Sequence, residues 1–176
     1  MSVEFRSNVP DPDGSVRALR ADARVLMGLL GLGAHELSVV IVGDAEIRAL
    51  NCEFRNQDRP TDVLSFSQLE TKSGRGRKGR LPAQMKPGDA IPGRGRPLGD
   101  VVISIETARK QSQELGLAPR SRLRTLLIHG ILHLLGYDHE RSRSDAKTMF
   151  AKESALATEL RRRGFRSGRS SLKTRK

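Results

Sequence analysis

The chain has no tryptophan and one tyrosine, and aromatic residues make up 3% of it. Proteins that grip single-stranded nucleic acid by base stacking need exposed rings, so binding of that kind is expected to lean on charge here. A single cysteine, Cys52, excludes an internal disulfide and suits a reducing cytoplasm. Cys52 is a candidate nucleophile or metal ligand, but its helical position beside apolar residues favours simple packing. No apolar run approaches the ~20 residues of a membrane span, and the opening Met1-Ser-Val-Glu-Phe-Arg lacks the basic-then-apolar pattern of a secretory signal. The expectation is a cytoplasmic protein with no membrane partner.

Charge, by contrast, is plentiful and unevenly placed. The net charge is +12 over 176 residues. Residues 70–97 carry eight Lys/Arg against Glu70 and Asp89, and residues 161–176 carry eight with no acid at all. These two stretches hold +14, which leaves the rest of the chain at −2. The length favours one domain. Residues 1–160 read as that domain, interrupted at about 70–97 by a basic Gly/Arg-rich insertion, and 161–176 read as a basic flexible tail. Neither segment has an amphipathic apolar face, which favours nucleic acid over a membrane surface. Both are expected to add phosphate contacts that do not read sequence.

Taken in order, Val3 to Arg6 alternates as a short strand, and Asn8 to Gly14 is turn chemistry. Ser15 is a plausible N-cap for a helix carrying Val16, Leu19, Ala23, Leu26, Met27 and Leu30 at helical spacing. His35 follows in a loop, with no role assigned. Leu37 to Gly43 is a buried strand, and Asp44 is placed to cap the next helix. Pro60 stops that helix, and Val63 to Ser67 reads as a strand. Leu98 to Ile105 is another buried strand. Glu106 to Leu115 forms a polar helix ending at Gly116, and Pro119 suits the first turn of a long apolar one. Ser144 can cap a last helix with Met149, Leu156 and Leu160 inward, ending near Gly164. Strands and helices in this order predict an α+β fold, a small mixed sheet packed with helices.

Three of the four histidines fall within His129-Gly-Ile-Leu-His133-Leu-Leu-Gly136-Tyr-Asp-His139. His129 and His133 are four apart, the spacing that stacks side chains on one helix face. At about 100 degrees per residue they lie on the flank of the apolar arc, on the stripe of Arg122. Gly136 can take the left-handed turn that ends a helix and brings His139 back. A lone histidine on an apolar face is usually a satisfied core residue. Two on one stripe with a third beyond a glycine break instead match a three-nitrogen metal site with a position left open.

The spacing His-x-x-x-His-x-x-Gly-x-x-His is that of the metzincin zinc peptidases. In those enzymes a glutamate follows the first histidine as general base. Here the residue is Gly130, which cannot accept a proton. A phosphodiester is a more suitable substrate, because zinc lowers the pKa of bound water to about 7 in favourable sites. Arginine can meet the charge on the phosphoryl oxygens with its planar fork. RNA also brings its own nucleophile, the 2′-hydroxyl, and the residues leave both routes open.

Three blocks carry a resemblance. Leu50-Asn-x-x-Phe-Arg55-x-x-Asp58-x-Pro-Thr-Asp-Val-Leu-Ser-Phe66, Leu98-Gly-Asp-Val-Val-Ile-Ser104 and the His129–His139 run look like the YbeY family of bacterial metal-dependent endoribonucleases. The resemblance spans most of residues 1–160. It implies a zincin-like α+β fold whose metal site lies on a central helix ending in the glycine turn, with one Zn2+ per chain held by His129, His133 and His139. It also implies cleavage of single-stranded RNA in 16S rRNA 3′-end maturation and ribosome quality control. The partners it suggests are the small ribosomal subunit and a ribosome-associated GTPase. The family's functional arginine falls on Arg55. The long basic insertion and the basic tail depart from the family, where the connection before the Leu-Gly-Asp block is usually shorter and often acidic.

Without the resemblance, Arg55 is as much a surface salt-bridge residue as a phosphate ligand, with Arg59 next in line. Asp138 could orient a histidine, or simply belong to the turn after Gly136. Asp62 and Asp100 could touch substrate or brace loops. Two other functions stay open: an RNA-binding assembly factor with structural zinc, in which Cys52 or Asp138 closes the metal shell, and a metallopeptidase, against which Gly130 argues.

Overall fold

The computed structural model describes residues 2–69 and 97–170, with the side chains of its last helix described as far as Arg163. The insertion expected at about 70–97 lies, but for Pro97, outside the described residues, as do the tail residues 171–176. The elements are β1 (Ser2–Ser7), α1 (Ser15–Leu29), β2 (Glu36–Val42), α2 (Asp44–Arg55), β3 (Val63–Ser67), β4 (Pro97–Ser104), α3 (Ile105–Glu114), α4 (Pro119–Leu134) and α5 (Arg143–Ser170). They form an α+β fold on one four-stranded mixed sheet in the order β1-β2-β4-β3. β1 and β4 flank β2 in parallel, and β3 runs antiparallel along β4 as an edge strand.

The alternation of side chains along the strands sorts the core. Leu37, Val39, Ile41, Val101 and Ile103 face a large cluster built with α1, α4 and α5. Val40, Leu64, Phe66 and Val102 face the other way, where α2 covers them with Ile47 and Leu50. α4 is the central helix, packing on α1, α3, α5 and two strands. It carries eight buried residues from Leu123 to Leu134. It presses closest to the sheet at Gly130, where a Cβ would lie 2.7 Å from Val101 Cγ1. Any larger residue there crowds the Val101 side chain.

The helix ends differ from expectation in instructive ways. Ser15 is the first residue of α1 and not its cap. Asp11 supplies the caps from outside, its carboxylate accepting from the Val16 and Arg17 amides at 3.0 and 2.9 Å. Asp44 does not cap its own helix. Its amide donates to Glu106 at 2.6 Å, while its carboxylate accepts from Thr107 Oγ1 at 2.7 Å and from the Ser104 hydroxyl. Glu106 of α3 thus caps the start of α2 across some 60 residues of sequence, which no local pattern encodes, while α3 has a local N-cap in Ser104, whose hydroxyl accepts from the Thr107 amide at 3.2 Å. Ile105 opens α3 and does not end β4. Ser142, not Ser144, caps α5, accepting from the Asp145 amide at 3.0 Å. α5 continues past Gly164 to Ser170. Cys52 is exposed, so it does not pack.

Candidate metal centre

The last turns of α4 bring His129 and His133 side by side, with ring centroids 4.5 Å apart and Nε2 atoms 2.9 Å apart. Gly136 takes a φ of 85°, the left-handed conformation that glycine adopts without strain. The chain turns there and returns His139 to within 5.1 and 5.4 Å of the other two rings. One nitrogen from each of the three lies within 4.8 Å of the others. The sequence-predicted trio is therefore assembled, on the elements expected.

The donor chemistry fits a divalent metal. Two nitrogens on one tetrahedral zinc stand about 3.3 Å apart, close to the 2.9 Å between the α4 imidazoles. His139 Nδ1 is buried with no hydrogen-bond partner. Burial first, then the nearness of His129 and His139, pushes His133 down to about 4. It is neutral at any physiological pH, the form that ligates a metal. His129 Nδ1 is held at 2.6 Å by Glu153 of α5, which fixes the tautomer and turns Nε2 towards His133. Sequence reasoning had offered Asp138 for that task. Asp138 instead accepts the Glu140 amide at 2.9 Å and pairs with Arg141 at 3.2 Å, which is turn chemistry. Among the described residues the cluster holds three histidines and no fourth ligand, with neither Cys52 nor Asp138 closing it.

The histidines face a cleft of about 780 Å³ whose other wall is the α2–β3 connection, with Arg55, Arg59, Thr61 and Asp62. The Leu50–Phe66 block largely builds that wall. Asn51 is buried and donates to the Arg59 carbonyl at 2.8 Å. Asp58 pairs in bidentate fashion with Arg48 at 2.8 and 2.9 Å. Asp62 accepts from Arg122 at 3.0 Å and from Gln111 at 3.2 Å, so it braces the wall and neutralises Arg122. Asp100 accepts from Gln68 at 2.8 Å, outside the cleft. Arg55, the last residue of α2, is exposed. Among the described residues its polar contact is a 3.5 Å hydrogen bond to the Ser65 carbonyl, and no described carboxylate pairs with it. Among the described residues no surface salt bridge forms at Arg55, which lines the cleft. His35 is buried away from this site, and burial lowers its pKa.

Fold and site together define an α+β protein with a candidate three-histidine metal centre on one wall of a cleft and an uncommitted arginine on the other. Comparison with known proteins refines this class. The family described as "Endoribonuclease YbeY" matches residues 18–161. An "Endoribonuclease YbeY" of Geobacter metallireducens is 44% identical over 155 residues, covering 88% of this chain and 91% of that protein. One of Anaeromyxobacter dehalogenans is 42% identical over 157 residues, covering 89% of this chain and 70% of that one. A solution structure of a Thermotoga maritima protein superposes with a TM-score of 0.60 at 26% identity, over 96% of this chain and 95% of that one. The chain belongs to the endoribonuclease YbeY family.

Proposed function

We propose that this protein is a zinc-dependent endoribonuclease that cuts single-stranded RNA. The observation that carries the reading is the three-imidazole cluster opposite Arg55 across one cleft. His129, His133 and His139 would hold the ion, which when bound supplies a Lewis acid and lowers the pKa of water. Arg55 meets the non-bridging oxygens of the scissile phosphate with its planar fork and stabilises the charge that builds on them. Glu153 keeps His129 in the ligating tautomer. Gly130 offers no general base, so the attacking oxygen is either water or the RNA 2′-hydroxyl, and in both cases cleavage needs no carboxylate at that position.

The family to which the chain belongs supports a narrower assignment: the 3′ end of 16S rRNA on the small ribosomal subunit, within ribosome quality control. A ribosome-associated GTPase is a partner under this reading, and the cytoplasm is its compartment. Among the described residues no helix is long and apolar enough to cross a membrane. Residues 1–160 act as the catalytic domain, with the basic segments as RNA-holding additions.

The test is cleavage of single-stranded and duplex RNA by purified wild type, Arg55→Ala and His133→Ala, with bound metal quantified in each. Wild type should cut single strands. Arg55→Ala should keep its metal and lose at least about 100-fold in kcat, the scale of one lost charge-stabilising donor. His133→Ala should lose both metal and activity. A wild type that holds one zinc and binds RNA without cutting it would make the protein an assembly factor instead.

A further inference from the structure

Composition makes aromatic rings scarce, and their placement is therefore informative. Five aromatic side chains are described. Tyr137 is buried, and Phe5 and Phe66 are half-buried against the core. The remaining two, Phe54 and Phe150, are 55% and 53% exposed. Each neighbours a residue that lines the cleft. Phe54 immediately precedes Arg55 at the end of α2, and Phe150 on α5 stands against His139, with ring centroids 6.0 Å apart. Arg55 and His139 themselves line the cleft. Each exposed phenyl is also braced by a second ring. Phe66 holds Phe54 edge-to-face at 5.1 Å and 66°, and the His139 imidazole lies at 40° to Phe150.

Leaving a phenyl ring in water forgoes about 2 kcal/mol of burial, and the two braced rings sit beside Arg55 and His139, cleft residues between which an unpaired strand would pass. A duplex keeps its base faces stacked on each other. A single strand offers them, and base–aromatic stacking accepts any base because every base has a π-face. We propose that Phe54 and Phe150 are stacking platforms that hold unpaired bases on either side of the scissile phosphate, and so select single strands over duplexes. They are positioning residues, since neither touches the reacting atoms. The inference rests on the endoribonuclease reading for its substrate, and it assigns that substrate's selectivity to two named side chains.

The experiment uses the metal-loaded full chain and a short RNA strand with 2-aminopurine moved through each position, whose fluorescence falls when the base stacks. Wild type should quench the probe at two groups of positions with an unquenched step between them, which coincides with the cleavage site when the strand is cut. Phe54→Leu should abolish one group and Phe150→Leu the other, each weakening binding roughly tenfold. Affinity for the same strand made abasic at those positions should not change, and Phe54→Trp or Phe150→Trp should restore quenching. Bound metal and Tm serve as the check that each variant is folded. Unchanged quenching in either leucine variant overturns the two-sided arrangement and leaves that ring as a protein-docking surface. Equal loss of affinity for the abasic strand also overturns it. Quenching is read without cleavage, so a wild type that binds and quenches but never cuts would defeat the enzymatic reading and not this one.

Discussion

At the scale of single residues, the centre shows which side chains announce themselves in sequence and which do not. His129, His133 and His139 are legible because one helix and one glycine turn place all three, so spacing alone is enough. Glu153 is not, because only the docking of α5 on α4 brings it to His129. One signal was available: Glu153 lies four residues after Met149 and three before Leu156, which puts it on the inward stripe of its helix. A carboxylate on such a stripe needs a buried partner. Its hydrogen bond to His129 gives a direct prediction. Glu153→Gln should keep the fold but lower zinc affinity by about 10–100-fold, since the amide no longer stabilises the ligating tautomer as a carboxylate does. Competition against a coloured chelator reads this without any activity assay. Unchanged affinity would mean that Glu153 is a packing contact only. Arg55 separates two further quantities. Arg55→Lys keeps the charge and loses the fork, so it should retain substrate binding while kcat falls.

Elements were legible in number, order and type, because α1 repeats its apolar residues at helical spacing, α4 is a long apolar run opened by Pro119, and the buried strands are short and β-branched. Their junctions were less so: the starts of α1 and α2 are held by Asp11 and Glu106, outside each helix's own pattern, and α5 takes Ser142 as its cap where Ser144 also offered a hydroxyl. Two junctions make measurable claims. Where α4 crosses the sheet, Gly130 leaves no room beside Val101. Gly130→Ala gains up to ~1 kcal/mol of helix propensity, but overpacking a buried β-branched neighbour costs about 1–3 kcal/mol. The net should be a loss of up to about 2 kcal/mol, shrinking when Val101→Ala is added to make space. Urea melts of the two single variants and the double variant measure the coupling, and strict additivity would refute the close approach. Where α1 meets α4, the buried Asp22 carboxylate is shared by Arg124 at 2.6 Å and Arg120 at 3.1 Å. Burial works to raise its pKa, and the hydrogen bonds and charges of Arg124 and Arg120 together outweigh it, leaving the group below its ordinary 3.8. A lowered folded-state pKa gives stability that is present above the unfolded value and lost as pH falls through the folded one. Asp22→Asn should therefore be less stable than wild type at pH 7, and the gap should close as pH drops below about 4. A gap of equal size at pH 7 and pH 2.5 would show that the ion pair does not drive it.

On the scale of the whole molecule, charge and chemistry are divided between parts of the chain. Outside 70–97 and 161–176 the residues carry −2, and the catalytic candidates lie within that near-neutral body. A nearly neutral body has little long-range pull on a polyanion, while a segment with eight cations does. The cleft can hold at most a few phosphates through Arg55 and Arg59, so most of the counterions that RNA gives up on binding are displaced by the basic segments. Each phosphate neutralised on a single strand adds about 0.7 to the slope of log affinity against log salt. Deleting 70–96 should flatten that slope by up to about 5 and weaken binding most at low salt. Zinc content and kcat on a strand just long enough to fill the cleft should stay at wild-type values, because every residue placed at the metal lies elsewhere. The comparison separates holding from cutting. A deletion that lost kcat on the short strand would place the insertion within the catalytic arrangement, and one that left the salt slope untouched would mean that the phosphates are met by the body alone.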